Sequence, residues 1–242
     1  MVTKTSVRVG SFIAAAVFSV AVLTAAPPAA ASGLIYVNRC AGGCTVKQGP
    51  DDAINGVSSI PTSGTSNLSA FAHGDLAFSE TVSCLRSLFA RYDVDIVTAN
   101  PGDVARRELM LAGTASQVQL PTGVYGEAPH YGMITDNAIA FAFANDIFAD
   151  ANNLCWIAAQ QLGFLYGLEV EFYCSDVTTL SQDHCGLKSF SDFDAPCGVF
   201  SALSTCPFSG QPTQNSAALL ALRAGLSDRI FLNEFEQPRP AP

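Results

Sequence analysis

Basic residues are scarce in this chain. Its 242 residues hold 12 Lys and Arg against 21 Asp and Glu, a formal net charge of −9. Nucleic acids and anionic membranes are bound by clustered cations that release counterions. Apart from Arg106-Arg107 the cations here are scattered, so the sequence argues against both partner classes. Histidine is equally sparse, with only His73, His130 and His184, far apart in the chain. No C-x-x-C pair faces a second one, which argues against a structural zinc site of the usual spacing. No G-x-S-x-G elbow surrounds Ser58, Ser59 or Ser83, so none is marked as a hydrolase nucleophile. Internal repeats are absent as well.

What is present begins with an export signal. Lys4 and Arg8 precede a nearly unbroken apolar run from Ser11 to Ala26, and Ala29-Ala30-Ala31 supplies the small residues a signal peptidase requires. The run is short for a membrane span and ends at Pro27-Pro28. Residues 1–31 are therefore read as a signal peptide, 32–230 as a single domain and 231–242, with Pro238, Pro240 and Pro242, as a flexible tail. A secreted protein, extracellular or periplasmic, free of the membrane after cleavage and monomeric, is the expectation. All eight cysteines (Cys40, Cys44, Cys84, Cys155, Cys174, Cys185, Cys197, Cys206) lie past the signal. An even count in an exported chain reads as disulfides. Eight cysteines admit 105 pairings, and the preferred set is Cys40–Cys44, Cys84–Cys155, Cys174–Cys185 and Cys197–Cys206. Three of these close short loops and one ties two helices together.

Periodicity places the elements. Gly33–Asn38 is apolar and β-rich, and 39–69 reads as a loop. Val82, Leu85, Leu88 and Phe89 recur at helical spacing behind a candidate cap at Ser79, which predicts a helix over 79–91. Strands are predicted at 93–99 and 108–115, and at 137–145, where small and large apolar residues alternate. A helix follows over 150–168. Cys174 to Cys206 carries little regular structure, and 213–226 is an amphipathic helix with Leu219, Leu220, Leu222 and Leu226 on its core face. The fold class is α/β (α+β): a mixed twisted sheet with packed helices and a disulfide-rich C-terminal part.

The most informative stretch is Cys155–Leu180, CWIAAQQLGFLYGLEVEFYCSDVTTL. Its neighbours carry G-L at Gly167–Leu168, E-F-Y-C-S-D at Glu171–Asp176 and G-L-K-S-F-x-D-x-D-A-P-C-G at Gly186–Gly198. From about Tyr36 to about Leu222 the chain resembles secreted, cysteine-containing bacterial metzincin-like metalloproteases. The signature of metzincins is H-E-x-x-H-x-x-G-x-x-H followed by a turn containing methionine. With Gly167 in the glycine position, the resemblance implies Gln160, Phe164 and Val170 at the three zinc ligands. It puts Gln161 at the general base and Thr178 at the turn methionine. An amide oxygen is a poor zinc ligand beside imidazole. Gln161 has no group that titrates, and Phe164 and Val170 have no donor atom.

The resemblance thus implies a metzincin-like pseudoprotease, with zinc binding and proteolysis lost and no cofactor. A peptide or protein is expected to add a strand along Asn137 to Asn145, read as a sheet edge. The alternatives are an active metallopeptidase with a site rebuilt from Glu169, Glu171 or His184, and a purely structural secreted protein. Asp176, Asp183, Asp192 and Asp194, with Glu169 and Glu171 nearby, offer oxygens suited to calcium, but their spacing is not that of an EF-hand and solvated loop carboxylates are the preferred reading. Trp156, Phe164, Tyr166, Phe172 and Tyr173 make the inherited site aromatic. Apolar refilling of the vacated space is preferred to a surviving peptide pocket, because an empty polar hole costs stability.

Overall fold

The computed structural model describes residues 33–180, 185–199 and 202–228. The segments expected to be a signal peptide and a flexible tail, with Asp183 and His184, lie outside the described residues.

The main sheet has five strands in the order β5-β1-β6-β8-β7. In chain order these are β1 (Gly33–Asn38), β5 (Val94–Val97), β6 (Arg107–Leu111), β7 (Gly126–Glu127) and β8 (Ile139–Ala142). A second sheet, β3-β2-β4, is built from β2 (Cys44–Gln48), β3 (Val57–Ser58) and β4 (Thr65–Leu68). The reading of 39–69 as a loop missed these strands because none shows more than two alternations. The four long strands of the main sheet run parallel, and β7 pairs antiparallel with β8. Asn137 to Asn145 is therefore not a sheet edge: β8 lies between β6 and β7. It is also shorter than predicted, because Asn137 sits at φ 51° and a 3-10 turn begins at Ala144.

The alternation in β8 sorts the layers. Ala140 and Ala142 face the helices, where their small side chains let a helix approach closely; Ile139, Phe141 and Phe143 fill the space under the second sheet with Val46, Leu68 and Met110. Helix α1 (Gly74–Leu88) and helix α2 (Ala151–Leu165) pack against each other and are joined by Cys84–Cys155. α1 begins five residues before the predicted cap; Ser79 instead donates its hydroxyl to Leu76 O at 2.8 Å. α2 starts as predicted, with the Asp150 carboxylate accepting Asn153 N–H at 2.9 Å. β6 is likewise shorter than its predicted span and gives way to a 3-10 turn at Ala115–Val118.

The C-terminal part is held by short pairings. β9 (Ala195–Pro196) pairs with β12 (Thr213–Gln214), β10 (Gly198–Val199) with β11 (Ala202–Leu203), and α3 (Ser216–Ala224) follows, capped by Asn215. All four preferred disulfides are formed. No helix among the described residues is long and apolar enough to cross a membrane.

Candidate functional site

α2 carries an apolar, almost wholly buried sequence, so its two consecutive glutamines stand out: Gln160 and Gln161 are both buried. Buried amides must find partners. Gln161 Nε2 donates to Gln160 Oε1 at 2.9 Å, and Gln160 Nε2 donates to the carbonyls of Thr178 at 3.3 Å and Thr179 at 2.5 Å. This amide chain ties α2 to the turn at 176–179 and links three of the six motif positions. On its other side Gln161 presses on β7. A Cβ placed on Gly126 would meet the Gln161 side chain at 2.8 Å.

The turn is built on one carboxylate. Asp176 is fully buried; its Oδ1 accepts Thr178 N–H at 2.6 Å and the Thr178 hydroxyl at 2.7 Å. Its Oδ2 accepts Ser191 N–H at 2.7 Å and the Ser216 hydroxyl at 2.6 Å. These four donors fill the acceptor capacity of a carboxylate, and the buried Thr178 is held to it by both its N–H and its hydroxyl.

Gly167 ends the helical turn. It lies at φ 78°, its N–H bonds to Phe164 O at 2.8 Å, and Leu168 N–H closes back on Gly163 O at 3.0 Å. A side chain there would also run into the Met133 backbone. The chain then enters the disulfide-bonded part. Val170 O accepts Gly198 N–H at 3.3 Å and Phe172 N–H bonds to Pro196 O at 2.7 Å. Val170 packs against the main core but makes no hydrogen bond to the amide chain.

Glu169 and Glu171 are committed elsewhere. The Glu169 carboxylate accepts Phe208 N–H at 2.7 Å and Ser209 N–H at 2.9 Å, and Gln214 brackets its backbone from both sides. Glu171 Oε1 accepts Gln214 Nε2 at 3.0 Å while Oε2 lacks a partner of hydrogen-bonding geometry. Burial, then the adjacent Asp176 charge, pushes the Glu171 pKa up to about 9. Among the described residues no three His, Cys, Asp or Glu side chains are grouped to hold a metal ion. Of the acidic residues considered for calcium, Asp176 is enclosed by donors and Asp192 lies 3.8 Å from Arg91.

The aromatic reading needs correction. Of the five residues named, only Phe164 belongs to the site. Tyr166 turns to the Arg107 guanidinium, which lies 4.0 Å over its ring; Tyr173 packs edge-on to Phe193; Trp156 lies near Lys188; and Phe172 is partly exposed. Phe164 is instead joined by two residues that the sequence did not bring forward. The His130 ring stacks on it at 4.4 Å, and Phe208 meets His130 edge-on at 4.7 Å. A histidine therefore packs on Phe164, the residue that the resemblance sets at the second ligand position. His130 Nε2 is bonded to Leu168 O at 2.6 Å, burial lowers its pKa, and among the described residues no further ligating side chains are grouped with it to hold a metal ion. Its place in a loop between Pro129 and Gly132 gave no local signal, and Phe208 lies more than forty residues beyond the helix.

No family model matches the chain, and no curated protein or solved structure gives a significant match.

Proposed function

We propose that this is an exported, disulfide-bonded pseudoprotease of metzincin-like design, in which buried amides have taken the place of the zinc site. The observation that carries this reading is the chain from Gln161 through Gln160 to the Thr178 and Thr179 carbonyls. In the motif these positions belong to the base, the first ligand and the turn. Here they form a closed hydrogen-bonded crosslink between the same two segments. An amide pair supplies cohesion without a titrating group, so it can replace a metal as a tie but not as a catalyst.

The order of elements leading to α2 and the left-handed Gly167 support the metzincin reading. The His130–Phe164–Phe208 stack supports refilling of the cleft over survival of a peptide pocket. A partner that adds a strand to the main sheet meets the outer edge of β7 rather than β8, since β7 ends the sheet. Nothing favours an active enzyme rebuilt on Glu169 or Glu171, whose carboxyls are engaged by protein groups or sealed in the interior. The test is a proteolysis assay on denatured protein substrates with and without a chelator. The expected result is no cleavage in either sample. Chelator-sensitive cleavage by the pure protein, carried unchanged through purification, overturns the reading.

A further inference from the structure

The Cys40–Cys44 disulfide carries features that a structural crosslink does not need. A crosslink stabilises chiefly by constraining the unfolded chain, and the effect grows with the loop it closes. Cys40–Cys44 bridges a sequence separation of 4, against 71 for Cys84–Cys155, and by this route it contributes least of the four. It also holds Cys40 at φ 51°, a left-handed backbone that costs energy outside glycine and clusters at functional sites. Strained disulfides are the ones that exchange readily with thiols.

A buried polar relay ends on one of its two sulfurs. Arg106 and Glu108 are both buried and form an ion pair at 2.8 Å. Glu108 Oε1 accepts from Asn38 Nδ2 at 2.8 Å, and the same nitrogen donates to Cys44 Sγ at 3.4 Å. Asn38 Oδ1 accepts Cys40 N–H at 2.8 Å, so the carboxylate at one end and the N–H at the other fix which way the amide is turned. The Arg106 charge offsets that of Glu108, and the relay brings a donor to the sulfur without a net negative charge. Sulfur accepts weakly in a disulfide and strongly as a thiolate, so this donor favours the reduced, ionised Cys44 over the crosslinked one. The two cysteines also differ in access. Cys40 is 1 % exposed and belongs to the core under the second sheet, whereas Cys44 is partly exposed and lines a cavity of about 480 Å³ with Thr45, Asn67, Ser69 and Gln117.

We propose that Cys40–Cys44 is a thiol–disulfide exchange site, at which peptide thiols react with Cys44 while Cys40 serves as the buried resolving sulfur. The attacking peptide thiolate bonds to Cys44 Sγ, the S–S bond breaks, and its electron pair leaves on Cys40 Sγ, which takes a proton from water. A second peptide thiolate removes the first as a peptide disulfide, and Cys44 departs as the thiolate that Asn38 holds. Two peptide thiols are oxidised and one protein disulfide is reduced; the reverse sequence closes Cys40–Cys44 again. The site shares no residue with the amide chain between α2 and the 176–179 turn, and it does not depend on the pseudoprotease reading.

The probe is glutathione, a peptide thiol. The purified chain is equilibrated with reduced and oxidised glutathione in graded ratios, quenched in acid, alkylated and mapped by mass spectrometry, with thermal unfolding followed in parallel. Cys40 and Cys44 are expected to open at a ratio that leaves the other three pairs closed and the unfolding transition cooperative. Asn38→Ala removes the donor to Cys44 and should shift that equilibrium about tenfold toward the disulfide. Cys40→Ser removes the resolving sulfur and should retain one glutathione on Cys44, which supplies a second reading if Asn38→Ala does not fold. Opening of Cys40–Cys44 only in step with the other pairs, or only on unfolding, overturns the proposal. So does a folded Asn38→Ala chain with an unmoved equilibrium, or a folded Cys40→Ser chain that takes up no glutathione at Cys44.

Discussion

Asp176→Ala is expected to destabilise the protein by about 4 kcal/mol or more, a large part of the total stability of a domain. The carboxylate is fully buried and receives four donors from three segments: Thr178 in its own turn, Ser191 in the disulfide-bonded part and Ser216 at the start of α3. Removing it strands the Thr178 N–H and hydroxyl and leaves Ser191 and Ser216 only each other, with Ser191 N–H on Ser216 Oγ at 2.8 Å. Each lost bond to a charged group is worth about 1.5–3 kcal/mol, with partial relief as water enters the cavity. The measurement is urea unfolding, in which the midpoint should fall with the slope unchanged. A loss below about 1 kcal/mol would mean that the turn is held by something other than this carboxylate. Asp176→Asn should fall between the two proteins, because its amide nitrogen would face donors on one side.

Glu171→Gln is expected to act in the opposite direction and to flatten the dependence of stability on pH. Glu171 is fully buried, its folded pKa stands at about 9 against an ordinary value of 4.5, and the principal cause is burial, with the Asp176 charge adding to it. Unfolding between these two values releases the proton that the folded state retains, so stability falls as pH rises through this window. The contribution is present in full below pH 4.5 and is lost progressively up to about pH 9. Each pH unit is worth about 1.4 kcal/mol, so by pH 7 the loss reaches about 3 kcal/mol. Glutamine keeps the acceptor that Gln214 uses and never ionises. The variant should match the native chain near pH 4 and exceed its stability by about 3 kcal/mol at pH 7. Parallel stability curves across this range would show that Glu171 does not change its charge on unfolding.

How far these features could be read from sequence depends on how local their causes are. Asp150 caps α2 and Gly167 ends its last turn through contacts within a few residues, so both were legible. The alternating small and large apolar residues of β8 gave the strand. Its neighbours depend on long-range pairing: β7 is two residues long and carries no periodic pattern, so the true edge of the sheet could not be seen. The same holds for β2, β3 and β4, which are defined by one another rather than by alternation. At the site, Gly167 set the register in which the resemblance puts Gln160, Phe164 and Val170 at the ligand positions and Gln161 at the base position. What those residues do could not be read. The amide chain needs the carbonyls of Thr178 and Thr179, and the aromatic stack needs His130 and Phe208 from two distant loops. Tyr166 was drawn to the site by its neighbours in sequence, but helical rotation carries it to Arg107 on the other side of the chain.

The central claim is that Gln160 and Gln161 stand where a metal site would need a ligand and a base, and that they hold α2 to the 176–179 turn without one. Its most direct test is elemental analysis of the purified, disulfide-bonded protein after equilibration with excess zinc and removal of unbound metal. The expected result is far less than one zinc per chain, with unchanged thermal unfolding when zinc is added. One tightly held zinc per chain, raising the unfolding temperature and lost on mutation of Glu169 or Glu171, would contradict it.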